Sequence, residues 1–152
     1  MSAAKLPAAL SALIQRNVSL VVLDTPALES PATLAAIKAA DLSVIPARPA
    51  IFDIWASEVT GRKLKLLDKQ FAFLLNQCPN LRRASREQQG VAAFEAIGTL
   101  LRPHIHARSA FLDAAEKGKG VTEVDPKGEA AREMRALWHA LKRRLPLSRT
   151  YR

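Results

Sequence analysis

Short apolar runs alternate with segments of helical periodicity along this chain, and Pro, Gly, Asn and Ser mark the boundaries between them. Apolar runs of about 4–8 residues are typical of strands, whereas apolar residues three and four apart are typical of one helix face. The pattern predicts strands at 19–24, 42–45 and 71–75, a short weak strand headed by Ile105, a helix opening at Ser30-Pro31, and helices at 6–16, 53–67, 85–101, 109–117 and 127–145. This alternation of strands and helices favours an α/β fold.

The expected architecture is a three-layer α/β sandwich with a mostly parallel sheet, formed by a single domain over residues 1–152. A chain of 152 residues can bury a substantial core without disulfides or metal. In the helix predicted over 53–67, Gly61 lowers the helix propensity of the middle. Residues 117–126 read as a mobile loop.

The strand predicted at 19–24 carries a candidate for chemistry at its end. Its continuous Leu and Val residues are typical of a strand that is buried on both faces of a parallel sheet, and Asp24 follows directly. Ligands of open α/β sheets bind at the carboxyl ends of the strands, where Walker B aspartates hold the Mg²⁺ of a bound nucleotide. The sequence contains no G-x-x-x-x-G-K-[ST] motif, however, and the nearest candidate, over 118–122, follows no apolar strand.

Charge and cysteine content indicate the kind of partner and the cellular compartment. The formal net charge is +9, and much of the excess lies after Arg102, including a basic tail over 146–152. Such a charge favours polyanions such as nucleic acid, although a well-solvated cationic surface explains it equally well. The single cysteine, Cys78, allows no intrachain disulfide, and no apolar run approaches the roughly 20 residues that span a bilayer. A cytoplasmic protein without a membrane segment is expected.

The chain resembles the carboxyl-terminal two-thirds of a ParA/MinD-type partition ATPase, a P-loop NTPase family with a deviant Walker A motif. The matching pieces come in family order and cover nearly the whole chain: Val21-Val22-Leu23-Asp24-Thr25-Pro26; Thr33-Leu34-Ala35-Ala36; Ala39-Ala40-Asp41-Leu42; Val44-Ile45-Pro46 with Pro49; Phe52-Asp53-Ile54-Trp55; Phe73-Leu74-Leu75-Asn76-Gln77; Arg108-Ser109-Ala110-Phe111; Gly120-Val121-Thr122-Glu123; Ala130-Ala131; and Leu137-Trp138. The resemblance implies an incomplete P-loop NTPase fold, truncated at its amino terminus and lacking the P-loop.

The resemblance implies a nucleotide site for ATP and Mg²⁺. Asp24 would be the Walker B carboxylate that holds Mg²⁺ or its bound water, and the alternative is a strand-end aspartate that caps the next turn. Asn76 would contact the adenine edge through its side-chain amide, which offers a donor and an acceptor; the alternative is a turn-forming residue before Pro79. Asp125 and Pro126 fall where family members pass a loop beside the base.

The resemblance also implies contact with nonspecific DNA. Arg108, Lys117 and Lys119 flank the predicted helix at 109–117, in a region where ParA-like proteins carry basic residues for this purpose. Cations of this kind reach phosphates without reading bases, and DNA-bound protein would be associated with the nucleoid. The implied protein partners are a ParB-like protein, a full-length ParA-like protein or a second copy of this chain.

Three hypotheses of function follow. The first is a plasmid or chromosome partition protein whose family activity is ATP-dependent dimerisation on DNA with ATP hydrolysis. The second is an ATP-independent DNA-binding or dimerising module, and the third is a nonfunctional remnant. Because backbone N–H groups and lysines of the P-loop hold the phosphates in this family, a chain without that loop is expected to bind ATP poorly, and no catalytic residue is assigned.

The family fold also raises a question about the sheet. Its P-loop strand lies between the strand that ends at Asp24 and the strand that ends at Pro46, so a gap is expected here. Either these two strands close up, a partner chain supplies a strand, or the natural polypeptide is longer.

Two tryptophans and two histidines are explained better by packing and by their place on a strand than by a binding role. Trp55 and Trp138 lie on apolar helix sides, which predicts packing in the core. His104 and His106 are two residues apart on the weak strand, and a half-exposed edge strand explains them better than a metal site, which would need a third ligand.

Overall fold

The structure is a computed structural model, which describes residues 3–26, 30–79 and 84–145, the side chains of 84–87 excepted. The basic tail predicted at 146–152 lies outside the described residues. The elements are a 3-10 turn Ala3–Lys5, α1 Leu6–Gln15, α2 Pro31–Ala39, β1 Ser43–Ala47, α3 Ile51–Leu66, β2 Phe71–Leu75, α4 Ala84–Ile97, α5 Ser109–Glu116, α6 Val121–Val124 and α7 Glu129–Lys142. In this part of the chain, no helix is both long and apolar enough to cross a bilayer.

The sheet is parallel and centres on β2. β1 pairs with β2 in a register that runs from Ser43↔Phe71 to Ala47↔Leu75. The segment 99–107 runs along the other edge of β2: the Phe73 N–H donates to the Thr99 carbonyl at 2.8 Å, and the Ile105 N–H donates to the Leu75 carbonyl at 2.9 Å. The strands predicted near 42–45 and at 71–75 are confirmed, whereas the one headed by Ile105 is reduced to an isolated bridge between His106 and Cys78.

The strand predicted at 19–24 does not form, and this expectation is wrong. In the described residues, strand pairing joins β1 with β2 and adds two isolated bridges, none of which involves 19–24. The segment is largely exposed, and Val22 keeps 82% of its surface accessible. A strand exists only where a neighbouring edge satisfies its backbone groups, so apolar composition predicts a candidate strand but cannot supply its partner.

Helices cover both faces of the sheet, which confirms the predicted three-layer α/β architecture. On one face, Phe73 and Leu75 of β2 pack with Ile54 and Leu64 of α3 and with Phe94 of α4. The opposite face joins residues of β2 and of the segment beside it to α7; its members are Ala72, Leu74, Leu101, Ile105, Leu137 and Ala140. Alternating residues of β2 therefore serve two cores, as a strand buried on both faces requires.

Gly61 lets α3 approach the sheet closely. A Cβ atom built at this position would lie 2.7 Å from Cζ of Phe73 and 3.2 Å from Cε2 of Phe71. The loss of helix propensity that the sequence predicts at Gly61 is therefore compensated by close packing of the helix backbone on two aromatic rings.

The prediction that Trp55 packs in the core is wrong. Trp55 is 54% exposed and contacts the ring of Phe52, also on α3, with 5.7 Å between ring centroids. The prediction is wrong for Trp138 too, which is 38% exposed, with Lys142 Nζ 5.6 Å from the centroid of its ring. The inner side of α3 is formed instead by Ile54, Ser57, Gly61 and Leu64.

Candidate functional site

The carboxyl ends of the parallel segments meet at one edge of the sheet. The Asn76 N–H donates to the carbonyl of Ala47 at 2.9 Å, so the ends of β1 and β2 lie side by side. On the other side of β2, the Ala107 N–H donates to the carbonyl of Cys78 at 2.9 Å, which brings Arg108 to the same edge. Because ligands of parallel sheets bind at this edge, it is the natural place for a site.

Asn76 makes a local hydrogen bond at the end of β2. Its Oδ1 accepts a hydrogen bond from the backbone N–H of Gln77 at 2.9 Å, and Gln77 has a φ of +52°. This bond to the next residue occupies one lone pair of the amide oxygen, and the Cys78 N–H, which a side-chain turn at Asn76 would use, donates to the Ile105 carbonyl instead. Contact with an adenine edge remains a prediction for Asn76.

Glu133 of α7 ties the end of the segment 99–107 to the helix layer. Its Oε1 accepts from Arg108 Nη2 at 2.7 Å and lies 2.9 Å from Nδ1 of His106, and its Oε2 accepts from the His106 backbone N–H at 3.2 Å. The side chain of Glu133 is 11% exposed. One nearly buried carboxylate therefore holds a backbone amide, an imidazole and a guanidinium in place.

The environment of Glu133 favours its ionised form. Burial raises the pKa of the carboxyl, but the hydrogen bonds donated by Arg108 and by His106 lower it by more, and the net pKa lies below the ordinary value. The guanidinium of Arg108 is thus engaged by an internal carboxylate, with Glu129 Oε2 also 3.9 Å away. Contact of Arg108 with DNA phosphates remains a prediction and would compete with these ion pairs.

A cleft of about 480 Å³ lies beside this cluster. Its walls are the start of α5, α6 and the start of α7, and they bring together three predicted site residues, Arg108, Lys117 and Asp125. Asp113 and Glu129 also line it, so cations and carboxylates face the same space. The other predicted site residues do not line this cleft: Asp24, Asn76, Lys119 and Pro126. The volume is within the range of small-molecule pockets.

The turn over 125–128 is fixed by packing and hydrogen bonds. The Gly128 N–H donates to the Asp125 carbonyl at 3.1 Å, and a Cβ atom at Gly128 would collide with the Asp125 carboxylate. The carbonyl of Pro126 accepts from Arg135 Nη2 at 2.6 Å. The mobile loop expected over 117–126 is wrong, because this stretch holds α6 and this anchored turn.

Lys117 and Lys119 are presented by the end of α5. The Gly118 N–H donates to the Ala115 carbonyl at 2.9 Å and the Lys119 N–H to the Ala114 carbonyl at 3.0 Å, which is the hydrogen-bond pattern of a Schellman motif. Gly118 supplies the required left-handed backbone, with a φ of +62°. Both lysines are exposed at this helix end, where the helix dipole favours positive charge.

Asp24 is exposed, and it follows the segment that forms no strand. Among the described residues, no group of three or more His, Cys, Asp or Glu side chains is arranged to hold a metal ion, so Asp24 does not belong to such a group. Its role as a magnesium ligand remains a prediction.

Sequence reasoning missed two of the groups that shape this edge. Glu133 carries a signal, because it lies beside Met134 on the side of α7 that continues through Leu137, and a carboxylate at the border of an apolar stripe needs a partner. Only the fold identifies the partners of Glu133.

The second group is an ion pair after β1. Arg48 and Asp53 form a bidentate pair with distances of 2.7 and 3.1 Å, and the hydrogen bond from Arg48 holds the pKa of Asp53 below its usual range.

Comparison with known proteins identifies the fold. No protein-family model matches the sequence, and comparison with curated proteins gives no match. The structure is similar to the cell-division ATPase MinD of Pyrococcus furiosus, with a TM-score of 0.76 and 19% identity over 93% of this chain and 59% of that chain. It is also similar to the septum site-determining protein MinD of Pyrococcus horikoshii OT3, solved as a complex with Mg-ADP, with a TM-score of 0.72 and 19% identity over 90% of this chain and 55% of that chain.

These likenesses confirm the expected fold. The chain spans somewhat more than half the length of each MinD structure and superimposes along nearly all of its own length.

Proposed function

We propose that this chain is a ParA/MinD-like partition protein that binds nonspecific DNA under the control of ATP and Mg²⁺. The observation that carries the proposal is the similarity of its fold to MinD along nine-tenths of the chain, at a TM-score of 0.76. The sequence motifs that resemble the partition ATPases occur in family order along the same stretch.

Asn76, Asp125 and Pro126 stay the proposed contacts to the base of the nucleotide, because amides and carbonyls can pair with a base edge. The Asn76 Oδ1 already accepts from Gln77 and the Pro126 carbonyl from Arg135, so a base would share these two oxygens with them. No glycine-rich, lysine-containing loop follows a strand in the described residues, so they offer no cradle for a triphosphate. When bound, Mg-ATP would supply the charge of its phosphates and its metal, and it would switch the protein between two states of DNA binding. Asp24 would hold the metal or its water.

The DNA contact would be made by Lys117 and Lys119. Both are exposed beside Gly118, and the Schellman motif fixes the backbone that carries them. Ammonium groups that project from a fixed helix end can reach phosphates without base contacts, and the net charge of +9 would attract the duplex.

A second function is favoured by a specific observation. The segment 19–24 forms no strand and Asp24 is exposed, so the described structure has no assembled metal position at the sheet edge. An ATP-independent module that binds DNA or dimerises would need none. This protein would occupy DNA or pair with a full-length ParA-like partner in the absence of nucleotide.

Fluorescence anisotropy with a labelled duplex of arbitrary sequence tests these proposals. Lys117→Glu/Lys119→Glu should reduce the slope of log affinity against log salt by about 2, because each phosphate contact contributes about 0.9. The matched control, Lys5→Glu/Lys38→Glu, changes two exposed lysines elsewhere and lowers the net charge equally, from +9 to +5.

Four outcomes separate the alternatives. Binding that Mg-ATP strengthens supports the partition protein, and equal binding with and without nucleotide supports the module. Equal slopes for the two double variants would remove Lys117 and Lys119 from the DNA interface. A folded protein that responds to neither DNA nor Mg-ATP would exclude the partition protein and the DNA-binding module, and would leave a dimerising module or the nonfunctional remnant.

A further inference from the structure

α3 has large apolar residues on the face that points away from the core. At 100° per residue, Phe52, Trp55, Val59 and Leu66 fall within about 60° of one another, on the side opposite Gly61. We call these four residues the outer stripe. Their exposed fractions are 75%, 54%, 66% and 88%, respectively. Residues 52, 59 and 66 are spaced by seven, with Trp55 between the first two, which is the spacing of a helix-pairing seam.

The outer stripe is too regular to be ordinary surface. Single exposed apolar side chains are common on soluble proteins and need no explanation, but a contiguous apolar patch marks an interaction site. The rings of Phe52 and Trp55 are already in edge-to-face contact, with centroids 5.7 Å apart and an interplanar angle of 88°. An ordered aromatic pair loses little side-chain entropy when a partner covers it.

We propose that the outer stripe binds the outer stripe of a second copy of this chain, with the two α3 helices antiparallel. The two ends of the outer stripe differ: the aromatic residues Phe52 and Trp55 lie near its amino-terminal end, and the exposed Arg62 flanks it near the carboxyl-terminal end. Antiparallel pairing places the guanidinium of each copy against the rings of the other, which is a favourable cation–π arrangement. Parallel pairing would place cation beside cation.

The same reasoning identifies the symmetry and the strength of the contact. An antiparallel pair of identical helices is a closed two-fold interface in which every contact occurs twice. α3 has 16 residues and is therefore about 24 Å long. A single helix pair of this length is smaller than the standard interface of about 800 Å² per partner, so we expect a weak dimer that dissociates at micromolar concentrations.

Sedimentation velocity over a concentration series tests the interface. Wild-type protein should shift from monomer to dimer with rising concentration, with or without Mg-ATP. Val59→Glu places a carboxylate in the seam and should raise the dimer Kd at least tenfold. Leu112→Glu is the matched control, because Leu112 is 69% exposed on α5 and the substitution likewise replaces an exposed aliphatic side chain with a carboxylate; its Kd should stay within twofold of wild type. Unchanged circular dichroism would verify that both variants are folded.

Cysteine cross-linking tests the orientation. A mixture of Phe52→Cys and Leu66→Cys proteins should form the mixed disulfide under mild oxidation, and neither protein should cross-link efficiently with itself. Parallel helices would instead give the two homotypic products. The native Cys78 is fully buried and should stay silent in the wild-type control.

Two results would overturn the proposal: a wild-type chain that stays monomeric at several hundred micromolar, or a dimer that Val59→Glu leaves intact. The inference is independent of the ATP-controlled partition protein, because the pairing needs no nucleotide, and it names the surface through which the dimerising module of the second candidate function would pair. Dimerisation that appears only with Mg-ATP and survives Val59→Glu would support the ATP-controlled partition protein and refute the outer-stripe interface.

Discussion

Glu133 offers the sharpest test of what holds the candidate site together. The substitution Glu133→Gln keeps the shape of the side chain but removes its charge. It also places an amide NH₂ group among the donors of Arg108 and His106, where the carboxylate now accepts. One nearly buried acceptor would become a donor that faces other donors.

The expected loss follows from the contacts. A hydrogen bond to a charged group contributes about 1.5–3 kcal/mol, and a buried group left unsatisfied costs about 1–3 kcal/mol. Since Arg108 keeps 24% of its side chain exposed, water recovers part of this loss, and we expect about 2–3 kcal/mol in the free energy of unfolding. For a chain of this size, about 2–4 °C per kcal/mol gives a fall in Tm of roughly 4–12 °C.

Urea and thermal denaturation followed by circular dichroism measure this loss. Glu129→Gln is the matched control, because it makes the same chemical change one turn earlier on α7, at a side chain that is 57% exposed; its effect should stay within about 0.5 kcal/mol. Equal losses for the two variants would refute the assignment of Glu133 as the anchor.

The pH dependence of this difference supplies a second check. Since the folded state lowers the pKa of Glu133, its charge stabilises the protein above the unfolded pKa, and the stabilisation is lost as the pH falls through the folded pKa. The gap between wild type and Glu133→Gln should therefore be full at neutral pH and close as the pH falls through the lowered pKa of the folded-state carboxyl. A gap that persists in acid would mean that packing, and not charge, causes the loss.

Two further predictions test the fold and the metal position. Gly→Ala inside a helix ordinarily stabilises by about 1 kcal/mol, but Gly61→Ala should destabilise by about 1–3 kcal/mol in urea denaturation, because its Cβ would lie 2.7 Å from Phe73 Cζ; a gain in stability would contradict the close approach of α3 to the sheet. Asp24→Ala should leave the Tm of the ligand-free protein unchanged, since Asp24 is exposed, and should abolish any saturable rise in Tm with Mg-ATP; a rise that survives would remove Asp24 from the nucleotide site.

The sheet was predictable where local pattern and tertiary partner agree. The apolar runs at β1 and β2 each lie between a turn and a helix, and both become strands because they pair with each other. The run at 19–24 has the stronger composition but no partner in the described residues, so it stays unpaired. A single segment of sequence therefore shows only its own propensity to form a strand. Whether the strand forms depends on a second segment that pairs with it.

The candidate site was predictable as a location more than as a set of contacts. The ends of parallel segments must share an edge, so Asn76 and Arg108 come near each other by topology, and α5 and α6 bring Lys117 and Asp125 to one cleft. The bond between Arg108 and Glu133 joins residues 25 positions apart, and no local pattern specifies such a pairing.

The misplacement of Trp55 shows why one apolar pattern can have two meanings. Sequence reasoning assigns the largest apolar residues of a helix to the core, yet the inner side of α3 includes Ser57 and Gly61, the latter packed against Phe73, and the outer side carries Phe52 and Trp55. Small residues inside let the helix lie close to the sheet, and no room remains there for an indole ring. The apolar area of the rings is then available for association, because covering it stabilises at about 25 cal/mol per Å². A helix whose large residues face away from its own core thus carries two apolar surfaces, and the outer one is the surface through which we propose that two copies pair.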